Sequence, residues 1–240
     1  MIKKGYLYKQ TYDVKFIDLE RKVIITADGS STIHLPKWDE QYHSKHGAIQ
    51  EAMHVFIKSG LSLFSNREVS ILEIGFGTGL NCFITFLEGP KLKLNVDYVG
   101  IEAYPVASEE IEKLNYVSEL NADNDFEIFK KMHQQKWDDK TKISPEFCLT
   151  KRKQFFNEIN DKNTFDLIYF DAFGARVQPE LWTEDIFKIM YSSLKIGGVL
   201  VTYSAKGSVR RAMQAVGFKV ERLPGPPGKR EMLRATKEIE

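Results

Sequence analysis

The stretch Val69-Ser-Ile-Leu-Glu-Ile-Gly-Phe-Gly-Thr-Gly-Leu-Asn81 decides the fold. A short apolar run (Ile71, Leu72, Ile74) ends in three glycines at alternate positions, Gly75, Gly77 and Gly79, and an apolar helical pattern begins at Leu80. This spacing predicts a buried strand, a tight turn and a helix. Glycines suit the turn because the backbone must bend sharply and admit a ligand closer than a Cβ allows, while the helix start offers free N–H groups. A nucleotide-like ligand is expected here; the competing reading is a glycine-rich turn with no ligand.

Spacing narrows the choice of ligand. The dinucleotide fingerprint needs a third glycine at the sixth position, and counting from Gly75 that position is Leu80. Glu73, two places before the first glycine, would repel a pyrophosphate but suits a positively charged ammonium group. These features favour S-adenosylmethionine over NAD, with Glu73, Gly75, Phe76, Gly77, Thr78, Gly79 and Asn81 as expected cofactor contacts.

Composition sets the outer bounds. A chain of 240 residues, 42% hydrophobic and 28% charged, fits one globular domain with a small extension. No run of about 18 apolar residues occurs, and Met1 to Tyr6 lack a signal-peptide core, so a cytoplasmic protein without membrane contact is expected. Cys82 and Cys148 form no CxxC pair, and His43 and His46 stand without zinc-like spacing, so no metal is expected. From Lys206 onward nine Lys or Arg face four Asp or Glu, a local net of +5 within a chain of net +1. A basic region of this kind fits an anionic partner or an ordinary solvated surface.

The other segments follow the same logic. Val23 to Ala27, the turn Asp28-Gly29 and Thr32 to Leu35 read as a β-hairpin within an extension over 1–37. The main domain over 38–240 opens with the polar, aromatic stretch Trp38 to Gly47. That stretch is either a loop closing over the ligand, with Tyr42 and His43 on the substrate side, or a plain surface connection. A helix with Ile49, Met53, Phe56, Ile57 and Leu61 at helical spacing comes next. Strands are expected at Val96 to Ile101, Glu146 to Lys151, Phe165 to Phe170, Val199 to Tyr203, Phe218 to Leu223 and Glu231 to Thr236. Helices are expected at Leu80 to Leu87, from Ser108, at Asp125 to Trp137, Pro179 to Ser193 (closed by Gly197-Gly198) and Val209 to Val216. The result is an α/β, doubly wound, seven-stranded, Rossmann-like sheet of the class I S-adenosylmethionine-dependent methyltransferase form, its last strand antiparallel.

In such sheets the ligand lies across the carboxyl ends of the strands. Glu102, 23 positions after Gly79, is placed to accept from ribose hydroxyls; its alternative is an exposed carboxylate. Asp171 opens the next strand-end loop. A carboxylate there can orient an acceptor amine and help it lose a proton, so Asp171 is the catalytic candidate and also a cofactor contact; alternatively it caps the following segment. Phe173 and Tyr203 either shape a pocket for cationic groups or belong to the core.

Four motifs in order, Gly75 to Asn81, Phe170 to Arg176 with Pro179 to Thr183, Tyr203 to Arg211 and Gly225 to Met232, together with Tyr42 to Ala48, resemble the bacterial tRNA 5-aminomethyl-2-thiouridine methyltransferases. The likeness covers most of the chain from about Trp38. It implies methylation by S-adenosylmethionine of the aminomethyl nitrogen on the tRNA wobble uridine, with Asp171 at that amine. It also implies that the flavin-dependent half carried by bifunctional relatives is absent, since the chain stops soon after Met232, and that a separate oxidoreductase or modification complex supplies the aminomethyl group. Arg210, Arg211, Lys229 and Arg230 then meet phosphates of the anticodon arm, or are plain surface charges. One departure stands out: relatives carry an acidic residue after the third strand for the adenine amino group, and Thr150 to Phe155 has none, leaving Gln154 or a backbone carbonyl. The rival readings are an aminopropyltransferase of the polyamine-synthase kind and an RNA-binding module without catalysis.

Overall fold

The computed structural model describes residues 20–238. Residues 1–19 of the expected 1–37 extension, including its Met1 to Tyr6 start, lie outside the described residues. The described chain opens with the expected hairpin. β1 (Lys22–Ile25) and β2 (Ser31–Leu35) pair antiparallel, and Asp28 Oδ1 accepts from Ser30 N at 3.1 Å in the turn between them. β3 (Glu40–Gln41) adds a short third strand from the stretch expected to be loop. α1 (Ala48–Ala52) then widens into π-helical turns over Met53–Lys58.

The main sheet follows as β4 (Arg67–Ile74), α2 (Leu80–Glu88), β5 (Leu94–Ile101), α3 (Ser108–Ile111), α4 (Tyr116–Glu119), α5 (Phe126–Gln134), β6 (Lys140–Ser144), β7 (Phe147–Arg152), β8 (Phe165–Phe170), α6 (Glu184–Ser193), β9 (Leu194–Thr202), α7 (Gly207–Ala215), β10 (Lys219–Pro224) and β11 (Glu231–Thr236). The strand order is β10-β11-β9-β8-β4-β5-β7-β6, with β11 antiparallel to both of its neighbours. The sheet therefore has eight strands, not seven. The additional one, β6, runs antiparallel to β7 at the edge. Only Ile143 of its five residues is buried, so it carries almost no apolar signal.

Two further boundaries differ from expectation. The helix expected from Pro179 is broken: Pro179–Trp182 is a single tight turn, and α6 starts only after Thr183, whose hydroxyl caps it. Gly197 and Gly198 lie inside β9, where the register against β8 shifts between Phe165 and Leu167; Gly197 takes φ 76°, a bulge conformation that suits glycine.

Helices cover both faces. Period-two alternation in β4 sends Val69 and Ile71 into one apolar cluster and Leu72 and Ile74 into the other. The first cluster packs under α1, α2 and α5, and the second under α6 and α7. Where β5 passes beneath the glycine turn, a Cβ on Gly100 would stand 2.3 Å from Phe76 Cδ2. Overpacking there costs about 1–3 kcal/mol. Gly100→Ala is therefore expected to lower the melting temperature by roughly 2–10 °C in scanning calorimetry, and an unchanged melt would show that the Phe76 ring is free to yield.

Candidate functional site

Strand register builds the site. Ile74 pairs with Ile101 on one side and with Phe170 on the other, so Gly75, Glu102 and Asp171 leave the sheet at the same level. Backbone bonds latch the three ends together. Gly75 N and Phe76 N donate to Ile101 O at 3.1 and 2.9 Å, Asp171 N to Ile74 O at 2.9 Å, and Glu102 N to Arg152 O at 3.1 Å. Gly75 has φ 89°, and a Cβ on it would lie 2.7 Å from the Asp171 carbonyl oxygen. Only glycine lets these two strand ends run so close.

A cleft opens over this edge. It is lined by Gly75, Phe76, Gly77, Glu102 and Asp171, by Tyr42, His43 and Phe173, and by Ala103, Tyr104, Phe155 and Phe156. Tyr42 meets Phe173 edge-on at 5.0 Å, and Tyr104 meets Phe155 at 5.9 Å. The cleft is thus aromatic at both ends and acidic in the middle. Among the described residues no group of three or more His, Cys, Asp or Glu could hold a metal ion, and no helix is long and apolar enough to cross a membrane.

The three carboxyl groups differ by environment. Glu102 accepts from Gly77 N at 3.0 Å and from Tyr104 N at 2.8 Å; burial raises its pKa, against the pull of those backbone donors. Asp171 Oδ2 accepts from Asn81 Nδ2 at 2.8 Å. Burial first, then the negative charge of Glu51, pushes Asp171 up to about 7. Glu73 is 0% exposed; its oxygens accept from Asn81 Nδ2 and Tyr98 Oη, both at 2.9 Å. Burial drives its pKa well above the ordinary carboxylate value, against the pull of those two donors.

Glu73, expected from its place before the glycines to meet the donor's ammonium, lies beneath the cleft with no exposed surface. Period-two geometry turns it with Val69 and Ile71 into the core, and its influence reaches the cleft through Asn81. Thr78 also faces inward, accepting from Tyr116 Oη at 3.0 Å, and Gly79 is the left-handed residue that starts α2; neither lines the cleft. Asn81 is buried beneath it with Oδ1 lacking any hydrogen-bond partner among the described residues. Gln154 stands outside the cleft wall, where Phe155 and Phe156 take its expected place. His43 lines the cleft with its backbone N–H bonded to Thr32 Oγ1, and burial lowers it to about 4, so it is neutral at physiological pH.

Of the four basic candidates, Arg211 and Arg230 are exposed, and Arg210 is half-buried on α7 with Nε unpartnered among the described residues. Lys229 is half-buried and pairs with Glu51 and the face of the Tyr203 ring. Tyr203 donates through Oη to Ala172 O at 2.7 Å and so braces the Asp171 loop. Tyr104, Phe155, Phe156 and Glu51 escaped the sequence reading. A usable signal existed for Glu51, which shares the helical stripe of Ala48, Ala52 and Val55, all buried.

A family model described as S-adenosyl-L-methionine-dependent methyltransferase matches residues 115–238. The chain is 31% identical over 224 residues to the tRNA 5-methylaminomethyl-2-thiouridine biosynthesis bifunctional protein MnmC of Cupriavidus metallidurans, an alignment covering 87% of this chain and 33% of that protein. The chain spans about a third of the length of the curated relatives it matches. Among solved structures it resembles MNMC2 from Aquifex aeolicus (TM-score 0.74, 23% identity, 93% of this chain and 72% of the other). It also resembles spermidine synthase from Thermotoga maritima (TM-score 0.59, 15% identity, 93% and 71%). Both likenesses concern the fold.

The burial of Glu73 away from the cleft has a direct test. Glu73→Gln keeps the shape and an acceptor for Asn81, so S-adenosylmethionine affinity measured by calorimetry is expected to stay within about threefold of wild type. A charged contact to the donor's ammonium would instead cost tenfold or more, about 1.4 kcal/mol.

Proposed function

Because the chain belongs to the S-adenosyl-L-methionine-dependent methyltransferases, we propose that it methylates the exocyclic amine of 5-aminomethyl-2-thiouridine at the wobble position of tRNA, in the cytoplasm. The observation that carries this reading is the placement of Asp171: a carboxyl recessed in a cleft, level with Gly75 and Glu102, and poised near neutrality. The likeness to MnmC proteins of tRNA 5-methylaminomethyl-2-thiouridine biosynthesis suggests the substrate class, and the cleft suggests the chemistry.

The residues present fit the donor. Glu102, fixed by two backbone N–H groups, keeps lone pairs for ribose hydroxyls. Ala103, Tyr104, Phe155 and Phe156 offer apolar and aromatic surface for a flat base. Asn81 Oδ1 is a buried acceptor for an ammonium N–H, and the acidic centre of the cleft favours a cation. When bound, S-adenosylmethionine supplies an electrophilic methyl group on sulfur.

On the acceptor side, an amine arriving as ammonium must shed a proton before its lone pair can react. Asp171 orients the N–H by accepting a hydrogen bond, and as a carboxylate it takes that proton on Oδ. Tyr42 and Phe173 wall this side against water. The exposed Arg211 and Arg230 and the half-buried Arg210 are the cations offered to tRNA phosphates in this reading, which makes binding salt-dependent.

The spermidine synthase fold keeps aminopropyl transfer as a second reading. That chemistry calls for free carboxylates to hold a polyamine. Glu40 and Glu51 are already paired with Arg176 and Lys229, which favours methyl transfer.

Incubated with S-adenosylmethionine and tRNA carrying the aminomethyl nucleoside, the protein is expected to produce the methylaminomethyl form, read by mass spectrometry of digested tRNA. Formation of spermidine from putrescine and decarboxylated donor, with the tRNA unmethylated, would select the second reading. The rate is expected to climb as pH rises through about 7, where Asp171 ionises. Asp171→Asn should lose at least a hundredfold in rate, in keeping with general-base contributions of ~10²–10⁴. The same variant has a stability signature. Because the folded pKa is raised, ionising Asp171 costs stability as pH climbs above its unfolded value, so Asp171→Asn should melt higher than wild type at pH 8 and lose that advantage at pH 4.

A further inference from the structure

The loop between β10 and β11 carries Lys229, whose ammonium points into the protein. It pairs with Glu51 Oε1 of α1 and stands 3.9 Å from the centroid of the Tyr203 ring. Tyr203 Oη donates to Ala172 O at 2.7 Å, the carbonyl just after Asp171. Glu51 is 6% exposed, and its second oxygen accepts from Ser44 N at 2.9 Å. A continuous line of contacts thus runs from a helix on one side of the cleft, through a lysine and a tyrosine, to the loop that bears Asp171. Buried ion pairs are poor stabilisers because desolvation offsets their attraction. The location of this one, beside an ionisable group, gives it a different use.

We propose that the Lys229–Glu51 pair sets the charge of Asp171: Lys229 is the positioning residue that holds Asp171 as a carboxylate able to accept from the incoming amine, and Glu51 is the counter-charge that limits this hold. The proposal rests on the methyl-transfer reading for its purpose, but not for its physics. The groups that face Asp171 come from every surrounding element. Asn81 of α2 donates to it at 2.8 Å. Glu73 of β4, Tyr116 of α4 and Tyr203 after β9 couple to its charge. Glu51 raises its pKa, and Lys229 lowers it along with the Asn81 hydrogen bond. Burial raises Glu73 and both tyrosines, and Glu102 shares the cleft with Asp171; among the groups that bear on Asp171, Lys229 and Glu51 are the oppositely charged pair.

The two members therefore act in opposite directions. Lys229→Met deletes the favourable charge and leaves Glu51 unopposed, which makes Asp171 harder to ionise. Glu51→Gln removes the repulsion and leaves Lys229, which makes ionisation easier. A simple mechanical clamp between α1 and the β10–β11 loop would respond alike to the loss of either side.

The test follows the carboxyl ¹³C signal of Asp171 through a pH titration of donor-free protein, alongside the pH profile of methyl transfer. Lys229→Met is expected to shift the Asp171 midpoint upward by about one unit, and Glu51→Gln downward by a similar amount. The double variant should return close to wild type, and Lys229→Arg should barely move. Movement of both single variants in the same direction, or of neither, overturns the proposal. If Lys229→Met fails to fold by thermal melting, Glu51→Gln must still lower the midpoint, and absence of that shift is equally fatal. The titration needs no acceptor, so failure to methylate tRNA counts against the function alone, whereas normal methylation with unmoved midpoints counts against the charge-setting role alone.

Discussion

One amide group ties the site together. Asn81 Nδ2 has two hydrogens, and each goes to a different carboxyl: Glu73 Oε1 at 2.9 Å and Asp171 Oδ2 at 2.8 Å. Glu73 is further bound by Tyr98 at 2.9 Å, so the amide is anchored from below and presents its second hydrogen upward. Its position depends on the helix start. Gly79 at φ 72° turns the chain into α2, which puts Asn81 on the first turn facing the sheet. A residue bearing a Cβ at Gly79 would be strained there and would also meet the His133 ring at 2.9 Å.

This arrangement explains how three neighbouring carboxyls avoid mutual repulsion. Like charges in a low-dielectric site cannot all ionise cheaply, and the group with the least access to water gives way first. Glu73, with no exposed surface, is pushed well above its ordinary value by burial. Glu102 is compensated by two backbone N–H groups, and Asp171 is left near neutrality. One residue chemistry thus acquires three different proton affinities through environment alone.

The parts legible in the sequence are those governed by local rules. Gly75, Gly77 and Gly79 take φ of 89°, 49° and 72°, the conformations their spacing demanded, and the strand ends at Glu102 and Asp171 followed from alternating strand and helix patterns. What escaped depends on direction or on distant partners. The position of Glu73 beside the glycines was visible, but its face was decided by its step of two from Ile71, which sends it into the core. Lys229 looked like part of a basic surface, because its partner Glu51 lies 178 positions away and no local pattern links them. The polar edge strand β6 and the aromatic walls at Tyr104, Phe155 and Phe156 are settled by packing, not by periodicity.

The same long-range pairing separates this site from others on its fold. Glu40, Gly174 and Tyr203 meet beside the Asp171 loop: a Cβ on Gly174 would lie 3.7 Å from both Glu40 Oε2 and Tyr203 Oη. Two carboxylates on that side would by themselves draw a multiply charged amine. Arg176 pairs with Glu40 at 3.1 Å and Lys229 with Glu51, which leaves Asp171 as the unpaired carboxyl on this side among the described residues. Both cations that cancel the surrounding charge are carried by loops, where substitutions are absorbed without disturbing the sheet, so the charge of this side can change while the fold stays the same.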